Sequence, residues 1–438
     1  MDHLHHHHLH LRRRRLQHPH HHRPHHHHHR QAYQIIHQSV VKVNIVYNEI
    51  NQYSQIINCS ICIYLLHIDL HTSQSQIISI YTTGNHSINI THLAIDHAAN
   101  LYAGGSNWLF QLNSSSLSVI ESVRTGPIPD SPLCSPTDCS GVDESSIQLR
   151  NNINKVLVVD EHSNTLLVCG TVHQGACRKH RLGAIIQSDE LIPLPVAAND
   201  ENSSTLAFVG PSRYNGNIIQ PVLYVAVTDS RLGPYRDMVP AISSRSLESG
   251  QRYLSIIEKS FTDTAKVDIE IHMKDYFLVN YIYGFSTPDF VYFATVQKRS
   301  HLRALEEWGY HSRLARVCQS DPTYNTYAEV TVECIDSDGE QYSLLQDATL
   351  IEAGDELAQS LRVKPRSKLF VGTFSKAIEH TSTPDTRSAI CIYTLQEIEQ
   401  KFAQNIHMCY NGSITTRNMD YIAGNIPNCP AKVSCLRE

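Results

Sequence analysis

Long apolar runs are scarce in this 438-residue sequence. Ile61–Leu66 is one, and it falls far short of a transmembrane helix. It could form part of a signal-peptide core, but the basic flank and small-residue cleavage site that should surround it are missing. An excess of positive charge is missing as well. The formal net charge is −6, so no global basic field points to nucleic acid. Gly-x-Ser-x-Gly, the P-loop, His-Glu-x-x-His and the dinucleotide fingerprint are all absent, and with them the usual signatures of esterases, nucleotide-binding proteins and zinc proteases. Paired Cys-x-x-Cys knuckles are absent, which argues against structural zinc. No catalytic residue, cofactor or metal ligand is assigned.

What is present is a repeat. Ile95–Asn113 reads as strand, Gly-containing turn, strand, and its first half, Leu101-Tyr-Ala-Gly-Gly, recurs. The echoes are Leu166–Gly170, Leu223–Val227, Val291–Thr295 and Leu369–Thr373, with starts 65, 57, 68 and 78 residues apart. Apolar runs separated by polar turns flank each copy. A repeated unit of four short strands is the signature of a propeller blade, and the long periods here imply inserted loops.

Along the chain, residues 1–30 hold 15 of the 29 histidines together with Arg12–Arg15. Such low-complexity sequence cannot build a core, and residues 1–87 are read as a disordered or artefactual leader. Cys59-x-x-Cys62 lies in it without the βαβ setting of redox chemistry. The folded body is expected over 88–438. Blade 1 is expected as Thr91–Ile95, Leu101–Gly104, Trp108–Leu112 and Leu117–Val123, and the Pro-rich link Gly126–Gly141 leads to blade 2. Blade 4 is expected to start at Phe277 and to end with one strand, Ala328–Cys334; blade 5 is expected to end with Ala389–Leu395 and a helix over Gln396–Ile406.

Twelve cysteines and five Asn-x-Ser/Thr sequons lean towards an oxidising, extracellular setting. Cys134 with Cys139, and Cys169 with Cys177, bracket short loops that suit disulfides. The sequons are Asn85, Asn89, Asn113, Asn202 and Asn411. Asp336-Ser-Asp338-Gly339-Glu340 looks like the start of a calcium loop, but the spread of ligands and the closing Glu are missing, so a hairpin turn is expected. His173 is a candidate base, although a lone loop histidine is more often merely solvated. Arg231-Leu-Gly-Pro-Tyr235-Arg236-Asp237 interleaves Arg with Tyr in a long loop, residue types favoured at interfaces.

Several of these segments carry a family resemblance. Thr125-Gly126-Pro127 followed by Asp130 and Cys134 resembles the first disulfide loop of a sema domain, and Asn152-x-Asn154 through Asp160 and Leu167-Val-Cys169-Gly170-x4-Gly175-x-Cys177 are similar to the second blade of plexins. So are Phe290–Phe293, Leu314-x-Arg316-Val-Cys318, Cys391–Leu395 and Cys409-Tyr410-x-Gly412. The chain resembles the N-terminal part of an insect-like plexin ectodomain, with class A or B left open. The resemblance implies an all-β, sema-type propeller of seven blades, of which about five are visible here. An incomplete ring is therefore expected to be poorly secreted or to self-associate. It also implies disulfides Cys134–Cys139, Cys169–Cys177, Cys318–Cys435, Cys334–Cys391 and Cys409–Cys429. The implied partner is a semaphorin, met through blade 3 by Tyr235 and Arg236 with Arg231 at the rim; homotypic plexin contacts are a second implied association. The implied location is the extracellular side of the plasma membrane, reached through a membrane span not in this chain. A semaphorin-type ligand of the same fold and a secreted propeller hydrolase are the alternatives.

Overall fold

A computed structural model describes residues 88–214, 219–260, 263–411 and 419–424, together with Cys429 and Cys435. The leader, Cys59, Cys62 and Asn85 lie outside the described residues. Blade 1 is a four-stranded antiparallel meander of β1 (Ile90–Ile95), β2 (Asn100–Gly105), β3 (Trp108–Asn113) and β4 (Val119–Arg124). A small two-stranded sheet, β5 (Ile128–Asp130) with β6 (Gln148–Arg150), sits in the link to blade 2. Blade 2 comprises β7 (Asn154–Asp160), β8 (Thr165–Gly170), β9 (Cys177–Arg181) and β10 (Ala184–Ile192). Blade 3 comprises β11 (Thr205–Ser212), β12 (Gln220–Val227), β13 (Ile242–Ser246) and β14 (Lys266–Val267). Blade 4 comprises β15 (Asn280–Ser286), β16 (Phe290–Lys298), β17 (Tyr310–Cys318) and β18 (Ala328–Val332).

A hairpin of β19 (Cys334–Ile335) and β20 (Gln341–Tyr342) precedes blade 5. That blade has three strands, β21 (Leu344–Glu352), β22 (Lys368–Ala377) and β23 (Pro384–Thr394). Helix α1 (Asp355–Leu361) lies between β21 and β22, and α2 (Leu395–Tyr410) follows β23. The first strands of successive blades pack in sequence, β1 on β7, β7 on β11, β11 on β15 and β15 on β21. They line a common cavity of about 930 Å³. This is the inner ring of a propeller, and the five recurring segments are β2, β8, β12, β16 and β22, the second strand of each blade.

The core explains why those segments are continuously apolar rather than alternating. In β12, Leu223, Val225 and Val227 face the cluster shared with blade 2, while Val222, Tyr224 and Ala226 face the one shared with blade 4. In β16, Val291 and Phe293 face blade 3, and Tyr292, Ala294 and Val296 face blade 5. Both faces of a blade are interior, so both sets of side chains must be apolar. At the end of the repeated segment in β8, Gly170 admits the side chain of Asn152: a Cβ there would lie 1.8 Å from Asn152 Oδ1.

Some boundaries differ from expectation. Phe277 and Val279 are core residues but belong to the loop before β15. The expected strand Ala328–Cys334 is broken, because Cys334 pairs with Tyr342 in the small hairpin instead of continuing along blade 4. Asp336–Glu340 is that hairpin's turn, with the Asp336 carboxylate accepting from the N–H groups of Asp338 and Glu340. The last strand of blade 5 begins earlier, at Pro384, and α2 extends to Tyr410. Thr394 and Glu397 cap α2 reciprocally, Ile398, Phe402 and Ile406 form its buried face, and Ile398 and Phe402 pack it against blades 4 and 5.

Buried histidines tie this packing to pH. Burial first, and then the charge of Lys155, hold His92 down to about 4. Burial, with Arg313 and Arg299 beside it, holds His311 to about 3. Both are therefore neutral in the fold at pH 5, whereas their unfolded counterparts, near 6.5, take up protons. The stability they contribute is present above pH 6.5 and is lost as pH falls below it. At pH 5 each lowers stability by about 2 kcal/mol. Thermal unfolding should show a clearly lower Tm at pH 5 than at pH 7.4, and His311→Gln should reduce that difference; an unchanged Tm would contradict the burial.

Candidate functional site

The loop after β12 is braced along its length by hydrogen bonds and ion pairs. Val227 N–H bonds to Ala241 O and closes the base of the loop, and Thr228 Oγ1 donates to Val279 O on the way to blade 4. Asp229 accepts from the N–H of Arg231 at 2.7 Å. Gly233 has φ +69°, and a Cβ on it would meet Pro132 O at 2.0 Å, so only glycine fits where the loop crosses the Cys134–Cys139 segment. Pro234–Met238 then forms a short 3-10 helix.

The three residues singled out above have different environments. Arg231 is exposed, with φ +59°. Tyr235 is half-buried and lines a small cavity with Gln174, Asn199 and Lys274. Arg236 is held inward: its guanidinium donates to Asp275 at 2.8 Å and lies 3.7 Å from the Asp229 carboxylate. Burial pushes the Asp229 carboxyl above its ordinary value, against the pull of the Arg231 N–H and of Arg236. Arg236 therefore reads as the post that anchors the loop to its neighbour, which moves the free contact surface onto Arg231 and Tyr235.

The neighbour is the segment 270–277. Lys274 bonds to Asp237 at 3.1 Å, adding a second tie. Tyr276 in turn donates to His301 O at 3.1 Å, and the Arg303 guanidinium stacks 4.1 Å over its ring. The 3-10 helix Arg303–Trp308 is thereby joined to the same surface. Met238, Ile271, Leu302 and Trp308 on these three loops each leave more than half of their surface in solvent. Large apolar groups held outward on braced loops are candidates for a protein contact. The sequence reading missed Ile271, Leu302 and Trp308. A tryptophan in the polar setting Glu306-Glu307-Trp308-Gly309 was the available signal.

The structure joins Cys134–Cys139, Cys169–Cys177, Cys318–Cys435, Cys334–Cys391 and Cys409–Cys429. The second spans directly paired positions of β8 and β9. The fourth ties the small hairpin to β23, and the third brings Cys435 back to the end of β17. Asp130, Cys134 and Cys139 cluster within 4.8 Å, but the two sulfurs are bonded to each other, so no thiolate is left to hold a metal. Asn89, Asn113, Asn202 and Asn411 are exposed. His173 is half-buried, with its N–H bonded to Asp130. Among the described residues, no helix is long and apolar enough to cross a membrane.

Comparison with known proteins bears on this arrangement. The model of the Sema domain family matches residues 345–437. Plexin-A4 of Danio rerio is 31% identical over 355 residues, covering 77% of this chain and 18% of that protein. Plexin-A4 of Mus musculus is 30% identical over 346 residues, covering 76% of this chain and 18% of that protein. The chain thus spans about a fifth of the length of these relatives. Among solved structures, the full extracellular region of plexin A4 matches with a TM-score of 0.62 and 27% identity, over 74% of this chain and 36% of that one.

Gly233→Ala should destabilise the loop by about 2 kcal/mol or more, because it combines a forbidden φ with a backbone clash. Limited proteolysis should then cut between residues 229 and 238. Wild-type resistance in that variant would show that the loop can shift away from Pro132 freely.

Proposed function

The chain carries a plexin-like sema domain, and from this premise we propose that it is the semaphorin-binding part of a receptor ectodomain, acting on the extracellular side of the plasma membrane. The observation that carries the reading is the braced, apolar-tipped loop surface over blades 3 and 4. The five disulfides and the exposed sequon asparagines fit a chain made through a secretory route. Recognition rather than catalysis is its role. Signal transfer would belong to parts of a receptor beyond the propeller, with a dimeric ligand bringing receptors together.

In this reading Trp308 and Tyr235 are the anchors, Arg231 is a rim charge, and Arg236 acts by holding the loop. Surface plasmon resonance of the secreted chain on a dimeric semaphorin ectodomain tests the assignment. Trp308→Ala and Tyr235→Ala should each cost about 2 kcal/mol, roughly 30-fold in Kd, and Arg231→Ala well under 1 kcal/mol with a slower on-rate. Arg236→Ala should weaken binding and also lower Tm. Unchanged affinity in both Trp308→Ala and Tyr235→Ala would remove this face. Binding to plexin ectodomains in place of semaphorins would make the chain a ligand instead.

A further inference from the structure

Residues 419–424, beyond α2, run back to the chain just past β14, the edge strand of blade 3. Ile422 forms an antiparallel bridge with Ile269. The main-chain bonds on both sides of it are made: Glu270 N–H donates to Tyr421 O at 2.8 Å, and Ala423 N–H donates to Asp268 O at 2.8 Å. The segment is thus a strap that gives residues 268–270 a strand partner. The Cys409–Cys429 bond closes the stretch of chain that contains it, and Cys435 is joined to Cys318 at the end of β17.

The strap lies beneath the turn 270–277, which carries Ile271, Lys274 and Asp275. Met273 and Phe277 on the inner side of that turn share a buried cluster with Tyr421 and Ile422, and the ring centroids of Phe277 and Tyr421 are 4.4 Å apart. Glu270 O accepts from the N–H groups of Met273 at 2.8 Å and Lys274 at 3.1 Å, so Glu270 is held by the strap through its N–H and starts the turn through its carbonyl. Blade 4 fixes Tyr421 from the other side. The Tyr421 hydroxyl donates to Glu329 on β18 and accepts from Gln297 Nε2 on β16 at 3.2 Å. Glu329 is paired with Arg313 on β17 and accepts from the Tyr327 hydroxyl at 2.8 Å. The strap reaches the next loop as well, where Asp420 lies 3.8 Å from His301 Nε2.

A rigid sheet therefore stands on one side of Tyr421 and an irregular turn on the other. The outer side of that turn holds Arg236 through Asp275 and Asp237 through Lys274, and leaves Ile271 in solvent. We infer that the strap 419–424, through Tyr421, positions the turn 270–277 and so sets the shape that the loop surface presents to its protein partner. Tyr421 is buried and acts through the turn, as a positioning residue. The inference rests on the reading of that surface as the semaphorin contact. If Tyr421 only filled the core, its loss would lower stability without a change particular to the turn.

Hydrogen exchange of the full secreted chain without partner tests the placement, and surface plasmon resonance on the dimeric semaphorin ectodomain tests its consequence. Tyr421→Ala should speed exchange across 268–277, leave blade 1 unchanged and weaken binding about 10-fold. Ala423→Pro removes the donor to Asp268 O and spares the Tyr421 ring; it should produce the same two changes to a smaller extent. Tyr421→Phe keeps the ring on Phe277 and both main-chain bonds. It should lower Tm through the lost hydroxyl bonds, yet restore slow exchange at 268–277 and affinity to within about 2-fold of wild type. Affinity that follows Tm across the three variants, in place of exchange at 268–277, overturns the inference. So does unchanged exchange in both Tyr421→Ala and Ala423→Pro. Should Tyr421→Ala fail to be secreted, Ala423→Pro and Tyr421→Phe decide by the same comparison. Faster exchange with full affinity also overturns it, and Trp308→Ala then shows which reading failed. Weakened binding in Trp308→Ala leaves the contact face standing without the strap, and unchanged binding removes the face as well.

Discussion

A four-stranded sheet that is apolar on both faces cannot bury itself, and every other feature of this protein follows from how that constraint is met. Tyr102 and Leu109 of blade 1 pack on Leu157 and Leu166 of blade 2. Leu167 of blade 2 packs with Leu223 and Val225 of blade 3, and Phe293 of blade 4 packs with Tyr224 of blade 3. Each interface is a sandwich between neighbouring sheets, so the hydrophobic core is divided among the contacts between blades. Polar ties reinforce the same contacts. Tyr102 donates to Asp96 and accepts from the N–H of Gly183, which joins blade 1 to blade 2. Lys155 caps the carbonyls of Glu201 and Ser203 on the way to blade 3.

The divided core frees the loops. Because the sheets supply the hydrophobic stabilisation, the connections between strands can be long, provided that each is braced. Blade 4 shows this at α2, where Arg316 pairs with Glu399 and stacks between Phe290 and Phe402 at 4.0 and 4.3 Å. Tyr292 also donates to Glu399, so a helix beyond the sheets is locked to blade 4 by a charge-assisted network. The loop surface over blades 3 and 4 uses the same device with Arg236, Asp275, Lys274 and Asp237. There the brace is partly exposed and acts by orientation, holding Trp308 and Ile271 outward.

Much of the fold was legible because the repeated segments carry their own explanation. Leu101–Gly105 and its four echoes are continuous apolar runs, and each is the second strand of a blade with both faces covered. Short cysteine spacings spoke for local disulfides. The boundaries that moved did so for reasons outside local pattern. Val332 and Cys334 look like one strand by periodicity, yet the Cys334–Cys391 bond and pairing with Tyr342 draw the chain into another sheet. Phe277 reads as strand because it is apolar, but it is buried from a loop, its ring tilted against that of Tyr421 with centroids 4.4 Å apart.

The sites divide in the same way. Arg231, Tyr235 and Arg236 stand out by composition, since Arg and Tyr in a long loop suit an interface. Their roles differ because of partners far along the chain, and Asp275, which lies 39 residues beyond Arg236 and turns it inward, has no local signal. The close approach of Gly233 to Pro132 likewise left no trace in the sequence, because only the crossing of two loops brings these segments together. By itself, then, the sequence determined the kind of unit, a repeated antiparallel blade apolar on both faces, since strand burial is written in local residue pattern. Tertiary structure alone decided which charges are spent on bracing and which remain available. Pairing across blades depends on distance in space, and chain separation does not encode it.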